Sequence, residues 1–312
     1  RLMRWTAIKI ARASITMWLV VTFVFFVLRI SGDPTDMLLP DDIDQATRDF
    51  YRRLWGLDQP LLTQYWSYLM ALVQGDFGIS FRNNLDAYDL VMERVPKTLL
   101  LTGTALIISL AIGIPLGILA ALYRDSWLDR GVMAVAVFGF SMPNFFLGIL
   151  LILVFSLQLR VLPSSGSGTW AHLIMPAATL GISFAAQFAR YTRSSMIDVL
   201  SKPYMRTARS KGAGTGRRVT LHAVPNASVP IVTILGFKIG ELIGGAVITE
   251  TVFAWPGIGR LLTTAVGSRD LAVVQCIMIL LALTMVTANA ITDLIYGWID
   301  PRVRVGAGAT QK

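Results

Sequence analysis

The chain has 312 residues, of which 54% are hydrophobic and only 15% charged, with a formal net charge of +9. That balance excludes an ordinary soluble domain and fits a polytopic helical membrane protein. The basic residues lie between apolar runs, so the positive charge reads as a topology signal rather than a nucleic-acid footprint. The single cysteine, Cys276, and two distant histidines, His172 and His222, form no disulfide framework and no metal-ligand spacing.

Arg1, Arg4, Lys9 and Arg12 precede an apolar run over 13–28. The run is long for a signal-peptide core, and no small-residue cleavage site follows it. It reads as a retained first span. Residues 31–96 then turn acidic, with eleven Asp/Glu against five Lys/Arg. Gly32, Asp33 and Pro34 break the helix. Asp42, with Gln45 three places on, predicts a helix start, and Gly56 a helix end. Ile43, Ala46, Phe50 and Leu54 share a face of that helix. Pro60 opens a second helix whose Leu61, Tyr65, Leu69 and Leu72 share a face, and Gly75 ends it. This insert reads either as a cap over helix ends or as a docking surface for an extracytoplasmic partner.

A second span is expected over 98–122, with Pro115 as a kink. A turn carrying Arg124, Asp125, Asp129 and Arg130 follows. The third span, 132–157, is interrupted at Ser141, Met142, Pro143 and Asn144. Interrupted helices are tolerated in membranes where protein or a water-filled cavity meets the freed backbone. The break therefore reads as a packed kink or as part of a path. A fourth span is expected over 173–189, with Arg190 and Arg193 at its end.

The stretch from Tyr204 to Asn226 carries Arg206, Arg209, Lys211, Arg217 and Arg218 and no acid. A short helix over 206–211, stopped by Gly212 in the left-handed conformation, makes it a patterned docking surface between two spans. A fifth span is expected over 227–249 and a sixth from 271 to 291 or beyond, joined by a connection containing Trp255, Pro256 and Gly257. Six spans place both termini on one side. Lys and Arg crowd the N-terminal arm, the 2–3 turn, the 4–5 segment and the tail, which puts both termini in the cytoplasm. No internal repeat is visible, which disfavours an inverted-repeat carrier.

Within span five, Gly236, Gly240 and Gly244 recur every four residues and predict close helix packing. Lys238 and Glu241 fall away from that glycine face. Ionisable groups at this depth pair with one another or face water. They are read either as a structural ion pair or as the wall of a polar route, in which Asn144 and Gln187 are further candidates. Asn289 and Asp293, one turn apart, suit interhelical hydrogen bonds. Asp198 and Glu250 sit at span ends and need no special role. There is no phosphate-binding loop, nucleophile elbow or paired-histidine metal helix, so the chain is expected to hydrolyse nothing itself and to use no cofactor. Energy comes from another polypeptide or, in the alternative reading, from an ion gradient acting through Lys238 and Glu241.

These features come in an order that resembles a known family. Gly32-Asp33-Pro34, the run Trp55-Gly56-Leu57-Asp58-Gln59-Pro60-Leu61, the run Gly75-Asp76-Phe77-Gly78-Ile79-Ser80, the run Thr249 to Arg260 and Asp300-Pro301-Arg302 resemble permease subunits of binding-protein-dependent ABC importers. Within these, the chain is most similar to the first permease of the dipeptide/oligopeptide/nickel group. The basic stretch is similar to that family's coupling loop. Arg206, Thr207 and Ala208 occupy its opening triplet, Gly212 its glycine, and His222, Val224 and Pro225 its closing positions. Arg206 stands where the general pattern has Glu, and Pro225 where the peptide subgroup often has Arg.

The resemblance implies an all-α, six-span fold of the type I importer class with a helical extracytoplasmic insert. It divides the chain into 1–30, 31–96, a core over 97–298 with the coupling loop at 199–225, and a tail over 299–312. It implies a bacterial plasma-membrane location and a heterodimer with a second, homologous permease. Two ATPase subunits would grip the coupling helices, here through Tyr204, Arg206, Thr207, Ala208, Arg209, Lys211, Gly212, His222 and Pro225. An extracytoplasmic binding protein would deliver a dipeptide, oligopeptide, glutathione, nickel chelate or heme. Lys238 stands where an uncharged polar residue is expected.

Overall fold

The computed structural model describes the backbone of residues 2–299 except 31, 34, 36–38, 41, 243 and 245, and the side chains of 11–292 within that set. The expected tail with Asp300, Pro301 and Arg302, the residue Pro34, and the side chains of Arg4, Lys9 and Asp293 lie outside it. Among the described residues the chain is helical. Five helices are long and apolar enough to cross a membrane, and six if one bent pair counts as a single span. Two compact units are formed: 1–98 with 256–286, and 99–255 with 287–312.

In the first unit, α1 (Leu2–Ile30) supplies a candidate span over Ala11–Ile30. It is followed by α2 (Gln45–Leu54) and α3 (Leu61–Val73). Asp44, not Asp42, caps α2: its carboxylate accepts the Thr47 backbone N–H at 3.1 Å and the Thr47 hydroxyl at 2.7 Å. The helix therefore starts two residues later than the Asp42/Gln45 spacing suggests. The face with Phe50 and Leu54 is exposed rather than buried. Tyr51 and Trp55 do the packing instead, and Trp55 stacks on Phe81 at 4.6 Å between ring centroids. In α3 the expected Tyr65 is buried, whereas Leu61 is exposed.

The glycines of the first unit explain its turn-rich stretches. Gly32 takes φ +133°, and a Cβ there would lie 2.2 Å from the Arg269 guanidinium. Asp33 is tied down on three sides: its carboxylate accepts the Thr35 backbone N–H and hydroxyl and the Arg52 Nε at 2.6 Å. Helix α12 (Ile258–Gly267) begins with the Ile258 N–H donating to the Thr98 hydroxyl at 2.8 Å.

The span after the insert is longer than expected: α4 (Ala87–Leu122) is assigned as one helix through Pro96 and Pro115. In the second unit, α5 (Trp127–Ser141) and α6 (Asn144–Leu151), which continues as a π-helical turn over Ile152–Gln158, form the bent pair. Their axes meet at 101° across Met142 and Pro143. Pro143 lacks the N–H that would continue the helix. Helix α7 (Trp170–Leu200) extends eleven residues beyond the expected end at 189, because the polar residues after Ala189 are adequate helix formers in water.

After α8 (Pro203–Ser210), the chain re-enters through α9 (Thr215–Arg218), a π turn over Val219–Ala223, and α10 (Val224–Gly240). The fifth span ends at Gly240, not near Thr249. Three glycines, at 240, 244 and 245, each disfavour helix by about 1 kcal/mol. Gly244 therefore lies in the turn and shares no helix face with Gly236 and Gly240. A short helix, α11 (Val247–Val252), follows. Glu250 on it is fully buried, not at a solvated span end. The last helix, α13 (Leu271–Ile299), supplies the final span.

The core of the second unit is apolar. Leu101, Ala105, Leu173, Leu180, Phe184, Phe188 and Trp255 are buried together.

Candidate functional site

The basic helix is built by local rules. Pro203 occupies the first turn of α8, where its missing N–H costs nothing. The end is a two-bond glycine cap. The Ala213 N–H donates to the Ala208 carbonyl at 3.1 Å, and the Gly212 N–H to the Arg209 carbonyl at 3.0 Å. Gly212 sits at φ +81°, the left-handed conformation such a cap requires.

One residue anchors this helix. Met205 is buried in a cluster with Ala121, Met196, Val199, Val219, Ala223 and Ala227. Ala208, one turn on, is half-buried. Tyr204, Arg206, Thr207 and Arg209, followed by Lys211, are exposed. His222 lies exposed in the π turn, where its carbonyl accepts the Asn226 amide at 2.7 Å, and Pro225 is exposed one turn beyond Leu221. The segment is thus seated by an apolar plug and leaves a cationic surface open.

A second feature supports α7, the helix that carries this segment. Asp129, in the first turn of α5, is 97% removed from solvent by side chain and binds Arg193 of α7 through two bonds, 2.5 Å to Nε and 2.7 Å to Nη2. The same carboxylate accepts the Asp125 N–H at 2.9 Å. Such a fork-to-fork pair fixes orientation as well as distance. The sequence names both residues as helix-end charges without pairing them. Their opposite signs beside successive expected spans, the third and the fourth, are the available clue.

The candidate intramembrane charges do meet. Lys238 Nζ donates to Glu241 at 2.7 Å and lies 4.6 Å from the centre of the Phe184 ring. Lys238 is largely buried, while Glu241, the residue that ends α10, is partly open. Lys238 lies two residues before the end of α10 at Gly240. Asn144 opens α6 just after the 101° break, and Gln187 is half-buried on α7. Among the described residues neither bonds to the Lys238–Glu241 pair. Gly236 allows a close approach: a Cβ there would meet the Thr292 hydroxyl at 2.0 Å. Gly240 is buried.

The first unit carries a third region. Its turn motifs converge on Asp270, which is buried and accepts the Ser80 hydroxyl and the Phe81 N–H. The Ser80 oxygen in turn accepts the Asn83 N–H at 3.1 Å. Nearby, Tyr51, Trp55, Phe81, Arg82, Thr264 and Ser268 border an open cavity of about 640 Å³. This network joins residues 190 positions apart, and no periodicity in the sequence announces it.

Residues 113–305 match the family described as binding-protein-dependent transport system inner membrane component, and residues 2–102 match its N-terminal companion family. The chain is 42% identical over 290 residues to the glutathione transport system permease protein GsiC of Escherichia coli K12, covering 93% of this chain and 95% of that protein. The GsiC protein of Shigella dysenteriae serotype 1 is similar to the same extent. Among solved structures, the inward-facing MetNI methionine ABC transporter superposes with a TM-score of 0.58 at 20% identity, over 68% of this chain and 96% of that one. That likeness carries the fold, the type I importer permease, and nothing further.

Proposed function

The chain belongs to the family of binding-protein-dependent inner membrane transport components, the permease subunits of ABC importers, and we propose that it moves a short peptide of the glutathione class. It is a multi-pass membrane protein that forms part of a translocation pathway. As in its family, ATP is hydrolysed on partner ATPase subunits, while a second permease and a binding protein complete the machine. Family membership displaces the ion-coupled carrier as an explanation of Lys238 and Glu241.

The observation that supports the coupling role is α8: a glycine-capped helix seated by Met205, with Arg206, Arg209 and Lys211 free to meet another protein. In this reading Tyr204, Thr207, Ala208 and Gly212 shape the same contact, with His222 and Pro225 at its edge. Both termini lie in the cytoplasm with α8, consistent with the crowding of Lys and Arg there. Nucleotide binding closes the ATPases, moves α8 and, through α7, changes how the two permeases pack. The Lys238–Glu241 pair, with Asn144 and Gln187, lines the route, while Gly236 and Gly240 set helix packing. The first unit's cavity beside Trp55 and Arg82 receives the binding protein.

Gly212→Val in the assembled transporter tests the coupling assignment. The expected result is a complex that inserts and assembles but no longer couples hydrolysis to uptake. Normal coupled uptake contradicts it. The cargo is tested separately: the binding protein that co-purifies with this chain is titrated with glutathione, dipeptides and heme. Binding of heme alone overturns the peptide class.

A further inference from the structure

Helix α3 has three kinds of surface: one packed, one polar and one apolar and open. One faces α1. The Tyr65 hydroxyl bonds the Thr22 hydroxyl at 2.7 Å, Arg29 Nε donates to Gln64 at 2.7 Å, and Tyr65 and Tyr68 both pack on the Phe25 ring at 5.4 Å between centroids. A second, narrow surface is polar, with Thr63 and Ser67 exposed. The third is apolar and open: Leu62, Trp66, Met70 and Val73 are exposed by 67%, 64%, 61% and 85%. At 100° per residue these four fall within about 80° of one another, a continuous stripe.

The composition of α3 is unlike the segment around it. All sixteen charged residues of 31–96 lie outside 61–75. An uncharged helix with an open stripe of Leu, Trp, Met and Val is poorly suited to water.

Its depth is set by α1. That helix is a candidate span ending at Ile30, and Thr22 lies eight residues before that end, about 12 Å down the axis. The Tyr65–Thr22 and Tyr68–Phe25 contacts draw α3 toward the hydrocarbon level. Arg29, near the end of α1, marks the border with the headgroups. Over this same length α1 leaves Phe23, Val27 and Ile30 exposed.

We propose that α3 is a membrane-interface helix, with Leu62, Trp66, Met70 and Val73 buried among the acyl chains of the leaflet where α1 ends. A Trp within such a stripe suits the boundary between chains and headgroups. The insert is then partly a lipid-anchored element rather than wholly an aqueous docking surface, and α2 is tethered at the membrane surface.

The test uses the complete transporter reconstituted in phosphatidylethanolamine/phosphatidylglycerol nanodiscs, with Cys276→Ala here and cysteine-free partner subunits. Single cysteines at 62, 63, 66, 67, 70 and 73 carry a nitroxide label, and each is exposed to oxygen and to a water-soluble nickel chelate. The expected result is collision with oxygen and loss of collision with nickel at 62, 66, 70 and 73, with nickel access retained at 63 and 67. Addition of binding protein leaves the first four unchanged. Nickel access at all six positions overturns the proposal in favour of an aqueous surface. Loss of both quenchers at the four overturns it in favour of burial against another subunit. Because these readouts involve no transport, their failure is distinguishable from failure of the cargo assignment.

Discussion

Two regions rich in charged and glycine residues are held together by opposite means. Around Asp33 and Asp270, the first unit is fastened by carboxylates, one partly and one fully buried, that satisfy specific N–H and O–H groups. The basic helix α8 of the second unit is fastened by one methionine in an apolar cluster, and its Arg206 and Arg209 are exposed. A polar clasp fixes one geometry and fails sharply when a member is lost. An apolar plug tolerates small rotations and shifts. The difference suits a rigid platform in one case and, under the proposed coupling role, a helix that moves in the other.

The largest expected effect belongs to the polar clasp that the second unit has outside α8, the Asp129–Arg193 pair. Asp129→Ala leaves Arg193 without its bidentate partner and is expected to cost about 3 kcal/mol, read as a lower midpoint of thermal unfolding in detergent. Asp270→Ala strands the Ser80 hydroxyl and the Phe81 N–H. A loss of about 2 kcal/mol in the same assay is expected, with faster hydrogen exchange around 78–86.

Met205→Ala is expected to cost about 2 kcal/mol locally. Its signature is different: raised hydrogen exchange confined to 203–213 and weaker coupling of hydrolysis to uptake, with little change in the global midpoint. If Met205→Ala and Asp270→Ala prove equally global, the contrast between plug and clasp fails.

The smallest effect depends on pH. Burial alone would raise the Asp33 carboxyl, but the Thr35 hydroxyl and N–H, together with Arg52, hold it below the usual carboxylate value. A group lowered in the folded state contributes stability above its ordinary pKa near 4 and loses it as pH falls through the folded value. The thermal midpoint is therefore expected to drop on acidification from pH 5 to pH 3, with a shallower drop in Asp33→Asn.

What the sequence disclosed follows the range of each interaction. Apolar runs located the spans, and Gly212 located the end of α8, because both are local properties. Helix ends were harder. Asp42 and Asp44 both look like caps, and only the position of Thr47 decides between them. The end of α10 at Gly240 depended on weighing three glycines against an unbroken apolar run. Glu250 looked like a cheap terminal charge and is fully buried. The Ser80–Asp270 and Asp129–Arg193 bonds join residues 190 and 64 positions apart, which no window of the sequence contains.

The central claim is that force enters through the exposed face of α8. The direct measurement is cysteine cross-linking from position 209 in the reconstituted transporter, with and without ATP, followed by uptake. The account predicts a cross-link to an ATPase subunit whose yield changes with nucleotide and which blocks uptake. A label at 209 that reaches no neighbour in a complex transporting at its normal rate contradicts it.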